Sequence, residues 1–276
     1  MKWLYKTSFS NKISRFFGKI SFCSVPIFLR HWLWSKLAKK LKINLEEVAL
    51  PLQAYPTFNA FFTRELKPGV RVIHPDKCTA VSPVDGTVLK FGQLQKGELI
   101  QAKNINYSLK EFCPVPGYSQ FENAFFLTLY LAPFDCHRIF SPLNAKIILT
   151  AHVPGRLFPV REPYISGMPN LYIQNERVIT VLQHSDLGLI AMVYVGAFNV
   201  GSIGLTYLPN FKTNLSTSCL SLEAHSTAYP IQKGEHLATF YIGSTVVLLV
   251  ENHSKLKKIN LSENQSIKYG DPIFSF

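Results

Sequence analysis

Three short stretches of this 276-residue chain set reactive side chains beside turn residues. Ser82-Pro83-Val84-Asp85-Gly86-Thr87 carries an aspartate directly before a glycine, on local grounds an ordinary turn carboxylate. In Tyr130-Leu131-Ala132-Pro133-Phe134-Asp135-Cys136-His137-Arg138, a histidine stands between an acid and a base just after an apolar run. The plain reading is a satisfied polar loop; the chemical one is an imidazole held in orientation and kept titratable. Gly243-Ser244-Thr245 precedes the most apolar strand-like run of the chain, Val246–Val250. A glycine there marks a bulge or a close approach, and alone it speaks for packing more than for chemistry. Ser244, His137 and Asp85 together would also suit a serine hydrolase, but no GxSxG elbow surrounds any serine and the strand context argues against it.

Other chemistries find little support. HExxH is absent and the eight histidines form no tight cluster with cysteine, so no metal is expected. GAFNVGS (196–202) has Walker-like glycine spacing but offers Ser202 and Ile203 where Lys-Ser/Thr is required, and GxGxxG is missing. Five cysteines without a CxxC pair suit a reduced setting better than a disulfide framework.

The elements that must position these residues fall into two parts. Residues 1–48 read as a helical, basic, amphipathic segment stopped by Pro51, and 49–276 as one domain. In the latter, short apolar runs alternate with Gly, Pro and Asn, as in SPVDGTVLKFG, ENAFFLTLYLAP and HLATFYIGSTVVLLVE. The expected class is α+β: a helical N-terminal segment followed by a β-rich, sandwich- or barrel-like body. SPVDGTV and SPLNAKI echo one another, as do KGEHLATF and KYGDPIFSF, which hints at an internal repeat.

The net charge of +12 is uneven. Residues 1–42 hold ten Lys/Arg and no acid, while the remainder holds nineteen basic and seventeen acidic side chains. Interleaved with Trp3, Phe16, Phe17, Phe22, Phe28, Trp32 and Trp34, this charge suits a segment lying on an anionic phospholipid surface. Its longest apolar run, about Ile20–Leu29, is broken by Pro26, short of the roughly 20 residues a span requires, and no signal-peptide cleavage site follows. A solvated basic helix pair is the bland alternative; no nucleic-acid reader motif is visible, so nucleic acid is not expected as a partner.

From about Ile13 onward the chain resembles phosphatidylserine decarboxylase proenzymes. The resemblance rests on FNAFFTRELKPGVR (58–71), SPVDGTV (82–88), LIQAKNINYSL (99–109), YLAPFDCHR (130–138), HVPGRLFPV (152–160), PNLYIQNERV (169–178), VGAFNVGSI (195–203) and YIGSTVVLL (241–249). It implies self-cleavage between Gly243 and Ser244 into a large chain (1–243) and a small one (244–276) that remain a heterodimer. Ser244 Oγ would attack the Gly243 carbonyl, where the absence of a Cβ eases approach and strain. The resulting ester would eliminate to dehydroalanine and hydrolyse to a covalent pyruvoyl group, the expected cofactor. A Schiff base between that group and membrane-embedded phosphatidylserine would then release CO2 and phosphatidylethanolamine. The implied site residues are Asp85, His137 and Ser244, and the implied location is peripheral, on the cytoplasmic side of the cell membrane.

One departure stands out. The resemblance expects the relay histidine of self-cleavage three residues after His137, and Phe140 occupies that position. His137 itself matches the histidine assigned to decarboxylation. Either His137 serves both steps, or His152 or His236 reaches in, or maturation is impaired and the chain is a lipid-binding, non-catalytic relative. Ile105 stands where a polar side chain would be expected near substrate and receives no role.

Overall fold

The computed structural model describes residues 18, 20–102, 105–160, 164–197, 202–211, 213, 219–241 and 245–276. Helix α1 (Ile27–Leu41) starts after Pro26, which has no N–H to leave unsatisfied, and ends at Lys42 in the left-handed region with φ 62°. Trp34 and Ala38, four residues apart on one face, are buried with Ile43, Val48, Tyr55 and Phe61. Trp34 Nε1 donates to the Tyr55 carbonyl (3.0 Å), and its ring stacks on Phe61 at 5.5 Å. The short helix α2 (Phe58–Phe62) is capped by Thr57, whose hydroxyl accepts from Ala60 N–H.

The body is made of short strands, as the punctuation predicts. The first eight are β1 (Thr79–Val81), β2 (Gly86–Gln93), β3 (Glu98–Ala102), β4 (Ile105–Ser108), β5 (Phe125–Tyr130), β6 (Arg138–Phe140), β7 (Ala145–Val153) and β8 (Arg177–His184). After them come β9 (Gly188–Val195), β10 (Ile203–Leu205), β11 (Ser221–Ile231), β12 (His236–Phe240), β13 (Thr245–Val250), β14 (Lys258–Ile259), β15 (Ser266–Ile267) and β16 (Pro272–Ser275). The principal sheet is antiparallel in the order β11-β7-β8-β9-β13-β5-β2-β15. Smaller sheets, β10-β12-β6, β1-β16-β14 and β3-β4, surround it.

β13 lies in the middle of this sheet with a core on each side. Val246, Leu248 and Val250 pack with Leu127, Leu129, Met192 and Phe240. Val247 and Leu249 pack on the opposite face with Phe126, Ala191, Val193 and Phe112. A strand buried on both faces needs no polar alternation, so Val246–Val250 reads as an unbroken apolar run.

The internal echoes are structural. Ser82 and Ser141 each donate from Oγ to the carbonyl two residues on, and β2 and β7 each begin four residues after the serine. Val81 N–H donates to Pro142 O, and Phe140 N–H to Pro83 O. Gly270 N–H reaches Ser82 O as Gly234 N–H reaches Ser141 O. Both glycines have positive φ, 95° and 79°, which a side chain would strain. Tyr269 N–H donates to Asp85 Oδ1, and Lys233 N–H to Asn144 Oδ1, so Asn144 is the repeat counterpart of Asp85.

Candidate functional site

The first two stretches and Thr245, the described residue of the third, meet at one end of the principal sheet. Thr87 of β2 and Thr245 of β13 both face Tyr130, the last residue of β5, and Val195 closes the row from β9. Asp85 therefore precedes β2 on one side of β5, and the described chain resumes at β13 on the other. His137 lies just before β6, and its carbonyl accepts from Phe240 N–H (2.9 Å), so β12 runs past it toward Tyr241. Gly243 and Ser244 lie outside the described residues; before them Phe240 bonds to the His137 carbonyl, and after them Thr245 lies opposite Tyr130.

Asp85 is buried and accepts from Arg71 Nε (3.1 and 3.2 Å), Arg71 Nη2 (2.7 Å) and Tyr269 N–H (2.9 Å). Arg71 Nη2 also donates to Glu47 (2.8 Å). Burial would lower the arginine's pKa, but the bonds to Asp85 and Glu47 outweigh it and hold the guanidinium charged. Lys268 Nζ lies 3.8 Å from Asp85 Oδ2 and 3.8 Å from Asp135 Oδ1, linking the two carboxylates. Asp135 also accepts from Ala132 N–H (2.8 Å); burial, against that bond and the lysine, pushes its carboxyl up to about 6.

His137 is wholly buried, with its ring 4.1 Å from that of Phe62. Burial pushes its pKa down to about 3, so it is neutral at ordinary pH. Nδ1 lies 3.0 Å from the Asp135 carbonyl, which can only accept, and this fixes the proton on Nδ1. Nε2 is left with its lone pair free and buried, without a hydrogen-bond partner among the described residues. Thr245 Oγ1 is likewise buried and unpartnered. The FNAFFTREL segment holds this loop in place. Arg138 Nε donates to Thr63 O (3.0 Å), and Arg64 Nη2 to Phe134 O (2.7 Å) and Asp135 O (3.4 Å).

His236 and His152, the two other candidate imidazoles, are committed elsewhere. His236 Nε2 lies 3.0 Å from both Ala238 O and Thr239 Oγ1, and burial lowers its pKa to about 4. His152 Nε2 pairs with buried Glu176 at 2.8 Å on β7, three strands from β13. Phe140 stacks on Tyr269, with ring centres 4.0 Å apart. Arg71, Lys268 and Glu47 are not singled out by the sequence reading. The signal for Arg71 was its place at the end of the FNAFFTRELKPGVR segment; nothing local marked Lys268. Among the described residues no His/Cys/Asp/Glu group could hold a metal.

Beside the site, the N-terminal segment exposes Ile20, Phe22, Ile27, Phe28, Leu29 and Trp32, with Lys36, Lys39 and Lys40 exposed further along α1. The Phe22 ring lies 5.9 Å from that of Tyr241, at the edge of the 242–244 segment. No helix among the described residues is long and apolar enough to cross a membrane.

The family profile for phosphatidylserine decarboxylase matches residues 58–275, spanning all three stretches. The chain is 36% identical over 265 residues to a phosphatidylserine decarboxylase proenzyme of Anaeromyxobacter sp. strain K, covering 95% of this chain and 93% of that one. A proenzyme of the same name from Marinobacter nauticus is 34% identical, with 94% and 91% covered. The mitochondrial phosphatidylserine decarboxylase proenzyme 1 of Arabidopsis thaliana is 33% identical over 87% of this chain and 64% of its own length. These matches place the molecule among the carboxy-lyases. The chain belongs to the phosphatidylserine decarboxylase family.

Proposed function

We propose that this chain is a proenzyme that cuts itself between Gly243 and Ser244, turns Ser244 into a pyruvoyl group and decarboxylates phosphatidylserine to phosphatidylethanolamine. The observation that carries the reading is His137 Nε2, a buried lone pair beside β12 with no partner among the described residues, with Asp85 and the start of β13 at the same sheet end. Unpartnered buried polar atoms are costly, and His137 Nε2 and Thr245 Oγ1 suit a site completed only by maturation and substrate. The pyruvoyl carbonyl supplies an electron sink for the pair left when CO2 departs. His137 holds the position from which a proton is delivered to, or taken from, the substrate α-carbon at Nε2. Arg64 and Phe62 keep that ring oriented, and the surrounding apolar packing excludes water.

The small chain, 244–276, carries β13 between β9 and β5, β15 on β2 and β16 on β1. These pairings favour a heterodimer that survives the cut. We assign 1–48 to the membrane surface and 49–276 to catalysis, with the protein peripheral on the cytoplasmic face of the cell membrane. Exposed apolar side chains beside exposed lysines support this placement.

Phe140 favours a second reading, a relative that binds lipid without maturing, because phenylalanine cannot take a proton. Intact mass and denaturing electrophoresis of purified protein decide between them. The first reading expects two chains, the smaller beginning with a pyruvoyl in place of Ser244. One uncut chain with an unmodified serine overturns it and supports the second.

A further inference from the structure

His137 is a buried imidazole with no acid paired to it among the described residues, and the cation next to it has none either. The ring's one hydrogen-bond partner there is the Asp135 carbonyl, 3.0 Å from Nδ1. The Asp135 carboxylate is taken by Ala132 N–H (2.8 Å) and Lys268 (3.8 Å), so the ring meets that residue's main chain and not its charge. The same carbonyl oxygen also accepts from Arg64 Nη2 (3.4 Å). Guanidinium and imidazole therefore share one acceptor, both of them buried.

Arg64 is 3% exposed and sends its other bonds to main-chain carbonyls, Nη2 to Phe134 (2.7 Å) and Nη1 to Phe62 (3.3 Å). Its Nε has no partner among the described residues. Carbonyls ask only for N–H donors, which a neutral amide supplies, and burying a cation without a paired carboxylate is costly. The guanidinium stays charged even so, and the titratable group sharing its acceptor feels that charge. The other charged and titratable groups around His137 are Asp135, the Cys136 thiol and Arg138 on its own loop, with Asp85 and Lys268 beyond Asp135. Arg138 is paired with Glu65 at 2.8 Å. Phe62 brings only its ring, 4.1 Å away, and β12 carries His236 at its far end. Burial does most to hold His137 neutral; the Asp135 carbonyl opposes it and the Arg64 charge adds to it.

We propose that Arg64 is a positioning residue for His137: its charge and its hold on the Asp135 carbonyl keep the imidazole neutral, with the proton on Nδ1 and the lone pair on Nε2. A ring in that state can take up a proton before it gives one, whereas an imidazolium can only give. The proposal rests on the reading of His137 as a proton-transfer group and says what keeps it fit for that role. A merely structural arginine would hold the loop without deciding where the proton sits.

Full-length protein carrying isotope-labelled histidine tests it, with the His137 ring nitrogens assigned by their loss in H137Q and followed by NMR from pH 4 to 8. Wild type should keep a neutral ring protonated at Nδ1 from about pH 5 upward. R64Q, which offers amide donors without the charge, should raise the midpoint by about 1–3 pH units, the scale of a neighbouring like charge. R64K keeps the charge with fewer donors and should titrate with wild type. On phosphatidylserine vesicles the acid limb of kcat/KM should move upward in R64Q and stay in place in R64K. A wild-type ring that titrates near its ordinary value of about 6.5, or that carries its proton on Nε2, overturns the inference. So does R64Q titrating with wild type. Should R64Q fail to fold by circular dichroism, wild type and R64K still decide, since a midpoint raised in R64K assigns the effect to the donors and not the charge. A wild type that releases no CO2 overturns the decarboxylase reading, while the titration still judges Arg64.

Discussion

At the scale of the residue, the internal repeat separates what Asp85 does for folding from what its charge does. Asn144, its counterpart, accepts the equivalent backbone N–H with an uncharged amide. An amide therefore suffices for the turn, and Glu47 remains to partner Arg71. D85N is expected to melt within a few degrees of wild type yet fail to yield the two-chain form, which calorimetry and electrophoresis would read together. For H137Q the two chains should still form, while CO2 release from phosphatidylserine vesicles falls at least about 100-fold, the usual scale for a lost proton-transfer group. His137 also shapes stability against pH. Its folded pKa of about 3 lies below the ordinary 6.5, so its contribution is complete above 6.5 and lost as pH falls toward 3. Asp135 works the other way, its raised pKa removing stability as pH climbs through about 6. H137Q should therefore flatten the fall in melting temperature between pH 6.5 and 4. Turn chemistry and a preceding apolar run drew notice to Asp85 and His137, but on local grounds both read as ordinary loop residues, and their proposed roles came from the resemblance. Arg71 and Lys268 drew no notice, because their meaning comes from partners 14 and 183 residues away in sequence for Asp85.

At the scale of the element, Gly86 joins sequence to site. A Cβ there would collide with the Tyr130 carbonyl oxygen, on the row shared by Thr87 and Thr245. G86A must therefore push β2 away from β5 where Asp85 enters. We expect G86A to be destabilised by about 1–3 kcal/mol, as overpacking generally costs, with maturation lost even where the fold survives. Urea denaturation and the two-chain assay separate those effects. Strand-rich texture, the Ser-Pro openings and the doubly buried character of Val246–Val250 could all be read from local pattern. The order β11-β7-β8-β9-β13-β5-β2-β15 could not, since each pairing links segments whose hydrophobic patterns are interchangeable and only the global packing selects among them. The clamp that 58–65 places on the 134–138 loop was hidden for the same reason.

At the scale of the whole molecule, charge and grease collect on the N-terminal segment beside Tyr241. F28S/W32S, at two of its most exposed apolar side chains, should abolish sedimentation with anionic liposomes at low salt and leave the melting temperature unchanged within about 1 °C. Retained sedimentation would mean that the lysines alone hold the protein to lipid. That basic, aromatic character was plain from composition, but the packing of Trp34 against Tyr55 and Phe61, which joins α1 to the body, required the fold. The central place of β13 has one more implication. On the proposed cut, the finished enzyme consists of two polypeptides whose interlocked arrangement arose while they were one. After complete denaturation and separation they would have to find each other again, so recovery would slow on dilution, whereas the uncut precursor would refold at a rate indifferent to concentration. The order of events is thus one-way: shape first, scission second, and no return by the same road.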